Sequence, residues 1–342
     1  MDLVEKQKMQ QRQSLPLDQK IQMTKQRIKA WIEHWQDIEI SILPRNALSN
    51  HVLIEALEQI ADNSVYLAFS GGKDSTVLKH IIESMGYNVP SIFSNTGLEM
   101  PEIVEFVRRQ KNVIEIKPKL NYRDAWKKEG LPIGSKKVAR QIRTLKKGSD
   151  GQENTYKLYD EGITSGGHNA PSWKLAKKWR KFIDSDIRTS EKCCDHLKKE
   201  PIATFEKKTG LKGRSFTGMM ASEGGYRETM TQCNTFTGKT TRSSPMLFWT
   251  DDDVWAYIEK YNVEICSVYY ERTVEVNGKS ITVQGEKRTG CMFCGFGAHL
   301  DKGLNRFQKM SVTHPRQHAI VMDRMGMRKA MEMINVKVDY ED

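Results

Sequence analysis

The stretch Tyr66-Leu67-Ala68-Phe69-Ser70-Gly71-Gly72-Lys73-Asp74-Ser75-Thr76 constrains the fold more than any other part of the chain. A strand-like apolar run enters a Ser-Gly-Gly turn, and Val77, Leu78, Ile81, Ile82 and Met85 then fall on one face of a helix. A strand that turns on glycine into a helix gathers backbone N–H groups and the positive end of the helix dipole at one spot. Such a spot binds anions. The loop is not a Walker A sequence, because Leu67 stands where that motif needs its first glycine and Asp74 follows the lysine; nor is it G-x-G-x-x-G.

The alternation continues beyond the loop. Residues 89–94 and 113–116 read as short strands separated by a helix that Pro101 opens, the pattern of a parallel sheet with crossover helices. Sheets of this kind bind ligands at the carboxyl ends of their strands. Upstream, Leu17, Ile21, Ile28, Trp31, Ile32 and Trp35 predict one amphipathic helix within residues 1–36, and a second helix is expected over 51–61. Downstream, residues 129–190 read as loops and short helices and 215–220 as a strand. Thr250 and Asp253 form a capping box for a helix, and 271–290 reads as a hairpin turning at Asn277-Gly278. The expected fold is α/β, with a helical N-terminal extension over 1–60 and a C-terminal helical segment over 301–342.

Lys and Arg number 54 against 43 Asp and Glu, a net charge of +11. That suits a polyanion partner or an anionic substrate without choosing between them. Residues 134–147 gather Lys136, Lys137, Arg140, Arg143, Lys146 and Lys147, and residues 170–182 interleave Trp173 and Trp179 with Lys and Arg. The two tryptophans, six apart, do not share a helical face, so anchoring of a basic surface helix explains them better than base stacking. No apolar run reaches the ~18 residues of a membrane span, and the first thirty residues lack a secretion signal's hydrophobic segment. A cytoplasmic protein without a membrane partner is expected.

Four of the six cysteines form two pairs, Cys193-Cys194 and Cys291-x-x-Cys294. Adjacent cysteines are awkward on one tetrahedral ion, whereas each can take a different iron of a cubane; zinc and redox thiols remain alternatives. Cys233 and Cys266 are isolated and read as buried thiols. His299, His314 and His318 read as helix-start or surface histidines.

On these residues the chain resembles a known superfamily. Ser70 to Ser75 match the SGGKDS loop of the PP-loop ATP pyrophosphatases, or adenine nucleotide alpha hydrolases. "SNTGLEMPEI" (94–103) and "SSPMLFWTDDDVWAYI" (243–258) resemble signatures of the phosphoadenosine-phosphosulfate reductase branch, and the four cysteines resemble the [4Fe–4S] pattern of adenylyl-sulfate reductases. The resemblance implies a parallel-sheet, three-layer PP-loop domain over 61–300. It implies that Ser70, Gly71, Gly72 and Thr76 cradle a phosphate or sulfate, that Thr96, Gly97 and Glu99 border the adenosine, and that Ser135, Lys136 and Arg227 touch anionic groups of the ligand. Lys73, Asp74 and Ser75 are the catalytic candidates: Lys73 can neutralise a leaving pyrophosphate, Ser75 can donate a hydrogen bond, and Asp74 can hold Mg²⁺ if the ligand is ATP. Cys193, Cys194, Cys291 and Cys294 would hold a [4Fe–4S] cluster.

The chain also departs from that branch. Sulfonucleotide reductases carry their attacking cysteine on a mobile C-terminal tail, and "MGMRKAMEMINVKVDYED" contains none. The departure favours an ATP pyrophosphatase or sulfurtransferase that adenylylates an acceptor, the cluster assisting sulfur insertion, in the style of the iron–sulfur subunit of DNA phosphorothioation systems and of tRNA thiolases. A sulfur-donor protein and a nucleic-acid acceptor are the partners this reading implies. The alternatives are a phosphoadenylyl- or adenylyl-sulfate reductase that uses Cys233, Cys266 or a partner's thiol, and a nucleotide sensor without turnover.

Overall fold

A computed structural model describes residues 3–36, 64–238, 241–276 and 278–341. The helix expected over 51–61 and Asn277 of the hairpin turn lie outside them. The N-terminal helix is two helices, α1 (Leu3–Gln13) and α2 (Leu17–Gln36), because Pro16 interrupts the first and opens the second. The apolar stripe of α2 is buried as its spacing predicts, with Ile28 and Trp31 wholly inaccessible. Trp31 packs against Phe216 and Phe236. Lys20, also buried, donates to Asp253 at 2.6 Å and so ties α2 to the capping box at Thr250.

The centre of the molecule is a six-stranded sheet of order β3-β2-β1-β5-β7-β6. Its strands are β1 (Tyr66–Phe69), β2 (Ser91–Ser94), β3 (Val113–Ile116), β5 (Ser215–Phe216), β6 (Asn234–Thr235) and β7 (Arg242–Ser243). All described pairings are parallel except β6 with β7. Strand β2 begins at Ser91 rather than 89 because Pro90 has no N–H to give the ladder; its carbonyl accepts from Leu67 at 2.9 Å. Strand β5 stops at Phe216, four residues short of expectation, since Gly218 lies against the helix that follows β1, with a β-carbon's position only 3.0 Å from the Ser75 nitrogen.

Helices cover both faces of the sheet. On one face α2, α3 (Lys73–Ser84) and α4 (Pro101–Arg109) share a core with Trp249 and Val254, and on the other Phe205 packs on Tyr66, Ile92 and Ile114. A separate core joins α5 (Tyr122–Glu129), α6 (Lys136–Lys147), the first cysteine pair and the C-terminal helices, through Trp126, Ile142, Leu197, Phe307 and Met331. A short strand β4 (Ile133–Gly134) pairs in parallel with β10 (Gly295–Phe296) inside this second unit, and the expected hairpin forms as β8 (Arg272–Val276) and β9 (Lys279–Val283). No helix among the described residues is long and apolar enough to cross a membrane.

His314 stands at the start of the helix Pro315–Ala319, as the helix-start reading has it, whereas His318 is not a surface histidine. His318 is buried and bonds the Val338 carbonyl at 2.8 Å, and His314 meets Glu102 at 3.1 Å. The His314 hydrogen bond holds the Glu102 carboxyl down to about 2, with Arg272 assisting against the opposing effect of burial. A carboxyl whose pKa falls on folding stabilises the native state above its ordinary value of 4.5 and loses that contribution as pH falls toward 2. Acid-unfolding curves of the native protein and Glu102→Gln should therefore separate above about pH 5 and converge near pH 2. A gap of constant size at every pH would contradict the pairing.

Candidate functional site

The parallel sheet reverses its strand order at β1, which has β2 on one side and β5 on the other. The loop after β1 therefore opens at the switch point, where adjacent crossovers diverge and leave a crevice. Gly71 takes φ +69°, and a β-carbon there would stand 2.6 Å from the Val107 side chain, so only glycine lets the loop close on α4. The serines fold the loop on itself. Ser70 Oγ and Ser75 Oγ are 3.1 Å apart, Gly72 N–H donates to Ser70 Oγ at 3.3 Å, and Ser75 and Thr76 donate to the Gly72 carbonyl at 2.9 and 3.0 Å.

Lys73 is 2% exposed, and its ammonium meets two carboxylates: Asp74 at 2.9 Å and Asp251 from the first turn of the helix Asp251–Tyr261. Asp251 was not among the sequence candidates. Its only signal was its place in a Thr-Asp-Asp-Asp run that the capping box already explains. Lys73 N–H donates to the Tyr269 hydroxyl at 3.1 Å, and that hydroxyl lies 2.9 Å from Thr289 Oγ1. Neither Tyr269 nor Thr289 could be picked from sequence, since both reach the loop from about two hundred residues away.

Beside the loop lies a cavity of about 200 Å³, bounded by Ser70, Ser94, Glu99, Lys198, Thr289 and Gly290 among others. Thr96 and Gly97 do not line it but reach it through Glu99: Thr96 donates to Glu99 through N–H at 2.9 Å and through its hydroxyl at 2.8 Å, and Gly97 takes φ +74°. Arg227 pairs with Glu223, and burial lowers its pKa, with the Arg288 charge adding to the fall and Asp74 opposing it. Arg288, a second cation facing Glu223 at 3.9 Å, was missed. Ser135 caps α6 by accepting from Val138 N–H at 3.1 Å, while Lys136 acts electrostatically on Cys194.

Cys193, Cys194 and Cys291 pack in or against the second core, and the thiols of the two pairs act on one another electrostatically. Met292 N–H donates to the Leu98 carbonyl at 2.7 Å, which docks the second pair on the Thr96 turn, and Thr96 Oγ1 lies 3.9 Å from Cys291 Sγ. Cys194 is pulled down to about 6 by the hydrogen bond from Cys193, with Lys136 and Lys198 adding positive charge. Burial pushes Cys294 up to about 11 and raises Cys291 as well, although Lys198 opposes the latter. Burial works against the Lys198 charge, yet Cys291, Glu99 and Cys194 outweigh it and raise its pKa. Among the described residues no three His, Cys, Asp or Glu side chains converge as one metal ion requires.

Cys233 and Cys266 are 6% and 2% exposed, burial raises both pKa values, and neither lines the cavity. A wider groove of about 600 Å³ lies elsewhere, edged by Arg123, Lys127, Arg188, Arg324 and Lys329, with Asp186 its one acid.

An anion loop at the switch point of a mainly parallel sheet, with a cavity at the strand ends, defines an α/β nucleotide-site architecture. The chain belongs to the phosphoadenosine phosphosulfate reductase domain family, which residues 64–168 and 152–295 match. It is also similar to the crystal structure of phosphoadenylyl-sulfate (PAPS) reductase from Candida auris in a phosphate complex. The two share 15% identity and a TM-score of 0.34, over 73% of this chain and 96% of that one. No curated protein matches the sequence. The family is one of nucleotide-binding enzymes of sulfonucleotide chemistry.

Proposed function

We propose that the chain binds an adenine nucleotide at Ser70–Thr76, cleaves ATP between its α and β phosphates to adenylylate an acceptor, and so prepares that acceptor for sulfur. The observation that carries the ATP reading is the pair of carboxylates on Lys73. A lysine alone at a helix N-terminus would suit a bare sulfate or phosphate. Asp74 and Asp251 repel a bare anion and suit Mg²⁺, which takes one or two carboxylates plus substrate phosphates. In this reading an acceptor oxygen attacks the α-phosphorus, the bond from that phosphorus to the bridging oxygen breaks, and pyrophosphate leaves with its charge offset by Lys73; Asp74 and Asp251 would hold a Mg²⁺ ion, which would supply further positive charge. Hydrosulfide from a sulfur-donor protein then displaces AMP from the acceptor carbon, with no net oxidation or reduction. The basic groove edged by Arg188 and Arg324 suits an anionic acceptor such as a nucleic acid.

The four cysteines fit a [4Fe–4S] cubane by donor chemistry. The thiols of the two pairs act on one another electrostatically, and Lys136 and Lys198 offset their charge, a donor set that suits a cubane. Cys193, Cys194, Cys291 and Cys294 would each hold one iron, and the bound cubane would supply a redox-active, sulfur-binding metal centre.

The family match favours a second reading, reduction of phosphoadenylyl or adenylyl sulfate. That chemistry needs an attacking thiol, a role that their burial makes unsuitable for Cys233 and Cys266 and that a partner's thiol could fill. Product analysis on anaerobically purified protein separates the two. Mg²⁺ and ATP should give pyrophosphate once acceptor is present, and AMP once a sulfide source is added as well, whereas sulfite from a sulfonucleotide, without pyrophosphate from ATP, would establish the second reading.

A further inference from the structure

The turn Arg288-Thr289-Gly290 runs directly into Cys291, and the helical turn Ser267–Tyr269 follows the buried Cys266. Both send a hydroxyl to the same point. A β-carbon added at Gly72 would stand 3.1 Å from Tyr269 Oη, 3.2 Å from Thr289 Oγ1 and 3.1 Å from Ser70 Oγ. The three oxygens thus line the inner side of the loop, where the α3 N-terminus aims its donors. One of those donors, Lys73 N–H, is already taken by Tyr269 Oη.

We infer that Tyr269 and Thr289 are anion-binding residues of the loop, and that Thr289 carries the loop's occupancy to the Cys291 turn. This deepens the nucleotide reading above and rests on it. The Tyr269 hydroxyl occupies the place of a phosphate oxygen at Lys73 N–H. When phosphate arrives, that N–H turns to it, and the Tyr269 and Thr289 hydroxyls, released from each other, donate to it as well. Tyr269 suits this role because burial pushes its phenol up to about 12, so its proton stays on as a donor. Thr289 and Gly290 both border the cavity, and a β-carbon added at Gly290 would meet only open space. Only Gly290 separates Thr289 from Cys291, so a shift of Thr289 toward phosphate alters the Cys291 backbone, whose turn is pinned on its far side by the Met292 to Leu98 hydrogen bond.

The test pairs nucleotide affinity with backbone exchange on full-length, anaerobically purified protein. Isothermal titration with Mg²⁺ and a non-hydrolysable ATP analogue should show binding about tenfold weaker in Tyr269→Phe and in Thr289→Val, the size expected for losing one hydrogen bond to a charged group. Hydrogen–deuterium exchange across residues 287–293 should change on nucleotide addition in the native protein and stay unchanged in Thr289→Val at saturating nucleotide. Tighter binding in Tyr269→Phe would show that the phenol only plugs the loop, and would overturn the assignment. So would a nucleotide-induced exchange change that survives in Thr289→Val. If the native protein bound no nucleotide at all, the functional reading itself would fall, an outcome distinct from either of these.

Discussion

Lys73→Ala is expected to lower nucleotide-dependent turnover by about 10²–10³-fold while leaving any bound iron in place, as removal of a preorganised charge from a developing oxyanion does. The size follows from the lysine's setting. Lys73 is buried at the first turn of α3, fixed between Asp74 and Asp251, so in the proposed reaction its charge would be preorganised for a leaving pyrophosphate. Water replaces it poorly, because a flexible solvent dipole must reorganise during the reaction. Asp251→Asn should cost less, weakening the response to Mg²⁺ concentration more than the maximal rate. Steady-state kinetics over a Mg²⁺ series checks both, with circular dichroism to verify that each variant is folded. Unchanged kinetics in Lys73→Ala would remove the loop from the chemistry.

Cys194→Ser should abolish the visible thiolate-to-iron charge-transfer absorption of anaerobically purified protein and lower its iron content, and Cys291→Ser should do the same. Cys194 is the sharper choice. The Cys193 hydrogen bond, with Lys136 and Lys198, favours its thiolate near neutral pH, and a serine hydroxyl there would keep its proton. Cys233→Ser, by contrast, removes a buried thiol outside the group and should leave absorption and iron unchanged. Full iron content in both Cys194→Ser and Cys291→Ser would refute cluster ligation by these pairs.

The parallel sheet, the anion loop and the capped helix at Thr250 were legible because each is written in consecutive residues: apolar period, glycine, cap. The break at Pro16 and the short β5 were less so, since the first is one residue against a long amphipathic stripe and the second depends on how closely Gly218 must approach α3. The basic run after Gly134 read as a ligand or solvent face. Lys136, Lys137, Arg140 and Lys147 are exposed, as on a solvent face, but Arg140 and Arg143 also clamp Glu191, and Lys146 donates to the carbonyls of Phe182, Ser185 and Ile187. Such partners lie far off in sequence and leave no local trace. The same is true at the site. Lys73 was plain, but its partners Asp251, Tyr269 and Thr289, and the two cations Lys198 and Arg288, arrive from distant segments that only the fold assembles. Trp173 and Trp179 separate as their spacing implies, the first 44% exposed and the second 3%.

The central claim is that Asp74, Asp251 and Lys73 together make the loop a site for a magnesium-bound adenine nucleotide. Calorimetric titration of the native protein with ATP, with and without Mg²⁺, tests it directly. Binding that depends on Mg²⁺ and loses much of that dependence in Asp251→Asn is the predicted result. Equal affinity for ATP with and without the metal would contradict it.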